Sequence, residues 1–516
     1  MTRLMAILIS IFVLTVPAEA QRPRPLGWAM DAMRSGNWDA AAALAARDGQ
    51  VAADVIEWHR LRAGRGSYAE ARDFLNRRPD WPGEAYLRRQ TEEAVIKQSQ
   101  DDILDFFSAM APQTPRGVLA HAKALIDSGQ RGEAEANLVL AWRTMPMNAT
   151  SQELFVDAHG SLLAPHHAAR LEEMLWQREH SEARQMFDLV SSADRALAET
   201  RIALQKLESD VNTKIDALPA SKADAPGLAH DRFEWRIRKG FGDDAKALLL
   251  QRSTSAAALG QPPKWSNRRR AMARDEMRNG DPKTAYQIAS QHFLTSGSDF
   301  ADLEWLSGYI ALRFLNDPTT ALGHFQNHDN AVESPISQGR AGYWQGRALE
   351  AMGDAEGAAK AYAMGAKYQT SFYGLLAAER GGIPFDEKLT GAAPAQDWRT
   401  SPLARAPLFE AGLLLQASGE LSTAERFWTH LAEQLVPEDI ALLGQAAIDA
   451  GQPHLAVMIG KRAAQRGLEV PAAYYALHSL VEKDLPMATE MTLAIARRES
   501  EFDPDVQSGV GARGLM

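Results

Sequence analysis

The chain contains no cysteine among its 516 residues. That excludes disulfides, thiolate metal sites and lipid attachment through sulfur. β-Branched runs with strict apolar alternation are scarce, so sheet is not expected. No apolar run reaches the ~20 residues that a membrane-spanning helix needs. Surplus positive charge is missing too: 56 Lys and Arg stand against 66 Asp and Glu, a net charge of −10. That balance argues against nucleic acid as a partner. His166-His167 has no ligand-type residue three or four positions away, so the pair reads as a surface turn and no metal site is expected. No cofactor motif stands out. Gly509, Gly511 and Gly514 lack the preceding strand and the Lys-Ser/Thr pair of a phosphate loop.

What is present begins with a leader. Arg3 supplies a positive start, Leu4 to Val16 a short apolar stretch, and Ala18-Glu19-Ala20 an A-x-A-like cleavage site. Residues 1–20 are therefore read as a secretory signal peptide. Secretion without cysteine suits a bacterial periplasm, where a large core holds the fold without disulfides.

The body repeats one phrase. A Gly-polar turn precedes an Ala-rich amphipathic helix at Ser35-Gly36, Ser128-Gly129, Gly242-Asp243, Asn279-Gly280, Met352-Gly353, Ser418-Gly419 and Ala450-Gly451. The intervals, often about thirty to forty residues, are those of helical hairpins. Glycine stops one helix, and alanines let the next pack closely. The fold class is all-α: a superhelical, TPR-like array of hairpins forming a ring or solenoid, then a small helical linker domain, then the start of another domain. Residues 382–407 carry Gly, Pro and Ala but few periodic apolar positions, as a linker would. Asp210 to Gly227 reads as a long loop inside the array. The expected boundaries are 21–385 for the array, 386–470 for the linker domain and 471–516 for the last segment. Trp58, Trp81, Trp235, Trp265, Trp305 and Trp344 mostly sit at Ala/Leu-rich helical spacing, which fits packing; stacking on sugars is the alternative.

The last segment holds the sharpest pattern. From Pro486 onward Met487, Met491, Ala494 and Ile495 recur at helical spacing, and Glu499 extends that stripe. Asp503-Pro504 ends the helix just beyond. Partial burial and the negative helix end both disfavour an ionised carboxylate there, which suits a proton donor. Glu501, Asp503 and Asp505 are further carboxylates, and spacing alone leaves Asp505 open as a second catalytic group.

The string Ala494-Ile-Ala-Arg-Arg-Glu-Ser-Glu-Phe, a spacer, Ser508, and Gly511-Ala-Arg-Gly-Leu-Met resembles the signature of the soluble lytic murein transglycosylases, which cleave peptidoglycan with a goose-type-lysozyme-like domain. Each fixed position of that signature is matched up to Met516; its final Gln would follow. Arg78 to Arg89, Ala301 to Leu315, Arg340 to Arg347 and Thr370 to Gly374 resemble the family's helical ring. The resemblance implies cleavage of the MurNAc-GlcNAc β-1,4 bond with closure of a 1,6-anhydro ring, Glu499 serving as acid and then base. It implies that Ser508 orients substrate or carboxylate, and that Gly511, Ala512, Gly514, Leu515 and Met516 shape the cleft. Glycan strands, and wall-synthesis proteins, are the partners it implies. Arg268-Arg269-Arg270 is read as a solvated helix face, with a wall-binding patch as the alternative. The family's later Ala-Tyr-Asn-x-Gly segment is not in the sequence, so the expectation is that the chain carries only the first part of the catalytic domain and is inactive by itself. The alternative reading is a noncatalytic helical scaffold that binds the wall or its proteins.

Overall fold

The structure is a computed structural model, and it describes residues 24–509 and 511–515. The leader read at 1–20 and the site position Met516 lie outside the described residues. Those residues form helices joined by short turns. No strand appears among the described residues, and the β-type pairing is an isolated antiparallel bridge between Gln507 and Arg513. No helix among them is long and apolar enough to cross a membrane.

The repeated phrase marks the hairpin turns. Gly129 separates the helices Pro115–Asp127 and Arg131–Thr144; Gly280 separates Pro262–Asn279 and Pro282–Ser290. Gly353 ends the helix Pro335–Met352 in the left-handed region, at φ 81°, before Ala355–Gly365 begins. The same two helices touch where Gly342 faces Gly365: a Cβ on Gly342 would stand 2.4 Å from the Gly365 nitrogen. Small residues thus set the interhelical distance, as the alanine-rich pattern anticipates.

Hairpin stacking is only half of the architecture. The first helices, Pro25–Arg34 through Gln100–Ala109, share one hydrophobic core with residues 403–502. Trp58 and Trp81 both meet Phe427 edge-on, with ring centroids 5.2 and 5.0 Å apart. Arg34 pairs with Glu420, and His430 Nε2 donates to the Asp80 carbonyl at 3.0 Å. At the other end Tyr475 donates its hydroxyl to the Thr370 carbonyl at 2.6 Å, and Thr370 in turn bonds Glu469. The 403–475 region therefore touches both ends of the array and closes it into a ring.

Several local expectations change. Asp210 to Gly227 is not a plain loop: it holds the short helices Val211–Asp216 and Ala220–Ala223, with Val211 and Leu228 in a small core. Arg268-Arg269-Arg270 is not a solvated face. Arg269 is buried and donates to the Ile288 carbonyl and the Ser253 hydroxyl, both at 2.7 Å, while Arg270 pairs with Asp299 and Asp302. A helix that packs on both sides turns even a basic run inward where carbonyl acceptors wait. Trp58, Trp81, Trp265 and Trp344 are buried in packing; Trp235 and Trp305 are half-buried. His166 closes a 3-10 turn, and His167 rests against Trp142, with centroids 5.4 Å apart.

Candidate active site

The helix that carries Glu499 spans Thr489–Ser500, three residues later than Pro486 suggested. Its inward face is Thr492, Ala496 and Ser500. Met487, Met491 and Glu499 are exposed, and Ile495 is half-buried. The stripe read from the sequence is therefore the outward side, and Glu499 is not partly buried. Periodicity identifies residues that share a face; it does not say which face turns inward. Glu499 does sit in the last helical turn, as the Asp503-Pro504 stop anticipated.

The helix is tied on both flanks of Glu499. Arg497 donates through Nε to the Tyr474 carbonyl at 3.2 Å, and its guanidinium lies 4.4 and 5.1 Å from the Tyr474 and Tyr475 rings. Beyond Glu499, Glu501 and Phe502 take positive φ values of 47° and 65°. Neither is glycine, and such angles persist only where surroundings enforce them. The Phe502 ring is buried and stacks on His478 at 5.3 Å.

The chain then folds back. Ser508 donates its N–H to the Ala512 carbonyl at 2.8 Å, and its hydroxyl accepts from the Ala512 N–H at 3.0 Å. Gly514 donates to the Val506 carbonyl at 2.8 Å. A Cβ on Gly514 would lie 1.8 Å from the Asp503 carbonyl oxygen, so this position admits only glycine. Gly511 takes φ 89°. Leu515 is half-buried, and its N–H donates to the Ser500 hydroxyl at 3.0 Å. The turn is thus pinned back to the residue beside Glu499.

Of the residues singled out from the sequence, Leu515 is brought to the helix end. Gly511, Ala512 and Gly514 build the turn, and Ser508 caps it from an exposed position. Sequence reasoning missed Ser500, Arg497 and the Tyr474-Tyr475 pair as the supports of this helix. Ser500 and Arg497 lay inside the recognised string, and a cation two residues before the acid was the available signal. Behind the turn lies a cavity of about 390 Å³, lined in part by Glu425, His454, His478 and Phe502.

An all-helical closed ring with a short acid-bearing helix and a glycine-shaped turn at its end is the class defined by this geometry. Residues 482–516 match the family model described as the Transglycosylase SLT domain. The fold is similar to that of an inactive mutant of the lytic transglycosylase Slt from Pseudomonas aeruginosa, with a TM-score of 0.64, 20% identity, and coverage of 96% of this chain and 80% of that one. It is also similar to the 70 kDa soluble lytic transglycosylase from Escherichia coli, with a TM-score of 0.57, 16% identity, and coverage of 95% and 79%. A complex of the 70 kDa soluble lytic transglycosylase with bulgecin A matches equally well. No curated protein sequence matches the chain. The C-terminal segment carries the transglycosylase SLT signature and the chain as a whole has the soluble lytic transglycosylase fold, which bears out the resemblance read from the sequence.

Proposed function

We propose that this protein belongs to a peptidoglycan lytic transglycosylase that breaks the MurNAc-GlcNAc β-1,4 bond with Glu499 as its only acid/base. One observation carries the reading: the transglycosylase SLT match at 482–516 contains a glutamate held outward at a helix end. Protonated Glu499 gives its proton to the glycosidic oxygen as that bond breaks. The carboxylate then takes the proton of the sugar's 6-hydroxyl, whose oxygen closes on the anomeric carbon. No water is consumed, and Glu499 ends protonated as it began. Ser508 supplies a hydroxyl to substrate, and Gly511, Ala512, Gly514 and Leu515 form the floor of the cleft. No metal or cofactor enters these steps. The leader at 1–20 supports a periplasmic location, and glycan strands are the partner.

The similar Pseudomonas enzyme is inactive as a Glu-to-Gln mutant, which supports an essential glutamate in that protein. The test is mass spectrometry of sacculi digested by the full-length protein and by its Glu499→Gln variant. Products with a 1,6-anhydro end from the parent, and none from the variant, are expected. Products heavier by one water would mean hydrolysis. Equal release by both proteins would remove Glu499 from the reaction, and binding without any cleavage would favour the scaffold reading.

A further inference from the structure

The catalytic helix ends against a different part of the molecule. Lys461 and His454 both project from the helix Pro453–Gln465, in the segment that closes the ring. Lys461 pairs with the Glu501 carboxylate. His454 Nδ1 donates to the Glu501 backbone carbonyl at 3.0 Å, and its Nε2 faces a Glu425 oxygen at 3.3 Å. Side chain and main chain of one residue are thus gripped from one helix. That residue is Glu501, the first of two consecutive non-glycine residues in the left-handed region, two positions after Glu499. The same reversal sends the chain back so that Leu515 reaches Ser500.

We propose that Lys461 and His454 are positioning residues for Glu499: their grip on Glu501 fixes the left-handed reversal that aims the end of the catalytic helix and seats the Ser508–Leu515 turn beside it. This rests on the assignment of Glu499 as acid/base. An exposed carboxylate gains no orientation from packing around itself, so its direction must come from the backbone on either side. Arg497 fixes the near side through Tyr474. Lys461 and His454 fix the far side. Neither touches the substrate; they act through Glu501. The ring-closing segment is then more than a spacer, because its last long helix sets the geometry of the reacting group.

The experiment compares Lys461→Met, Lys461→Arg, His454→Gln and Glu499→Gln in the full-length protein. Hydrogen exchange over residues 501–515 reads the grip without any need for activity. Lys461→Met is expected to speed exchange there by about tenfold, leaving peptides from the ring unchanged. Unchanged exchange at 501–515 overturns the proposal. On soluble uncrosslinked glycan strands, Lys461→Met and His454→Gln are expected to lower kcat by about tenfold with KM within about twofold, because misdirection of the acid costs rate rather than binding. Lys461→Arg, which keeps the charge, should recover most of the loss. A purely structural role would lower the melting temperature and raise KM together, and that result overturns the proposal. Parental kcat in Lys461→Met beside an inactive Glu499→Gln also overturns it while the acid/base assignment stands. If Glu499→Gln itself is fully active, the assignment has failed, and the exchange data alone decide the grip.

Discussion

Two neighbouring parts of the molecule are built in opposite ways. Around residues 403–470 and the first helices, large side chains interlock: Trp58, Phe427 and Trp428 are at most 1% exposed. The charges buried nearby are fully engaged. Asp54 accepts from Gln50, Arg77 and Arg78 at 2.7 to 2.9 Å. In the 479–515 segment the core contribution is small, chiefly Ala496 and Phe502, and single hydrogen bonds and ion pairs hold the chain. A packed interior secures the ring, and polar ties aim the site. Replacing the exposed Glu499 side chain should therefore leave stability nearly unchanged, while the ring can be weakened without altering Glu499.

The largest expected separation comes from Glu499→Gln. Activity should fall by at least the ~10²–10⁴-fold of general acid–base catalysis, with the melting temperature unmoved because the side chain is exposed. Gly514→Ala should come next. Its Cβ would strike the Asp503 carbonyl, so the turn must rearrange; anhydro-product release should drop by about tenfold or more, and calorimetry should again show an unaltered ring. The opposite pattern is expected for Trp58→Ala, which opens a cavity between the first helices and the closing segment. Denaturant unfolding should lose about 3–5 kcal/mol, and similar stability in parent and variant would mean that ring closure contributes little.

A pH experiment sharpens the contrast inside the ring. Burial alone would raise the Glu304 pKa, but His292, His324 and Asn327 donate to it at 2.9, 2.7 and 3.0 Å and hold it down at about 2. A depressed carboxyl stabilises the fold above its unfolded value near 4.5, and that contribution disappears as pH falls through about 2. The stability difference between parent and Glu304→Gln should therefore shrink between pH 5 and 2, by on the order of 3 kcal/mol. A pH-independent difference would place the carboxylate's benefit elsewhere. The smallest effect is assigned to Lys360→Ala, which removes an exposed pair with Glu356 at 2.6 Å; its cost should stay below about 0.5 kcal/mol.

Much of this was legible from residues alone. Gly353 and Gly129 punctuate the hairpins because a helix stop is local chemistry, readable from one residue and its neighbours. The acid-bearing string was legible for the same reason. A ring was expected from the resemblance, but its closing contacts were not legible: Trp58 and Phe427 carry no mark that pairs them across the length of the array. The outward turn of Glu499 was missed because Met491 and Ile495 share its side, and a shared side looks the same whether it faces core or solvent. Arg269 was misread because three consecutive arginines point in three directions around a helix, and only the structure shows the Ile288 carbonyl waiting for one of them. The role of Lys461 was invisible because its partner lies forty positions on, in another packing unit.

Ring closure also sets a timetable. The ribosome delivers this chain from its N-terminus, yet Trp58 and Trp81 both pack on Phe427, which lies far later in the sequence. Local hairpins can form as they emerge, whereas the seam between the first helices and the closing segment is a contact of very high sequence separation and must wait until that segment has been made. Through that interval the aromatic surface around Trp58 is open to other chains. The shutting of that seam, a contact of high sequence separation, is expected to come late in folding.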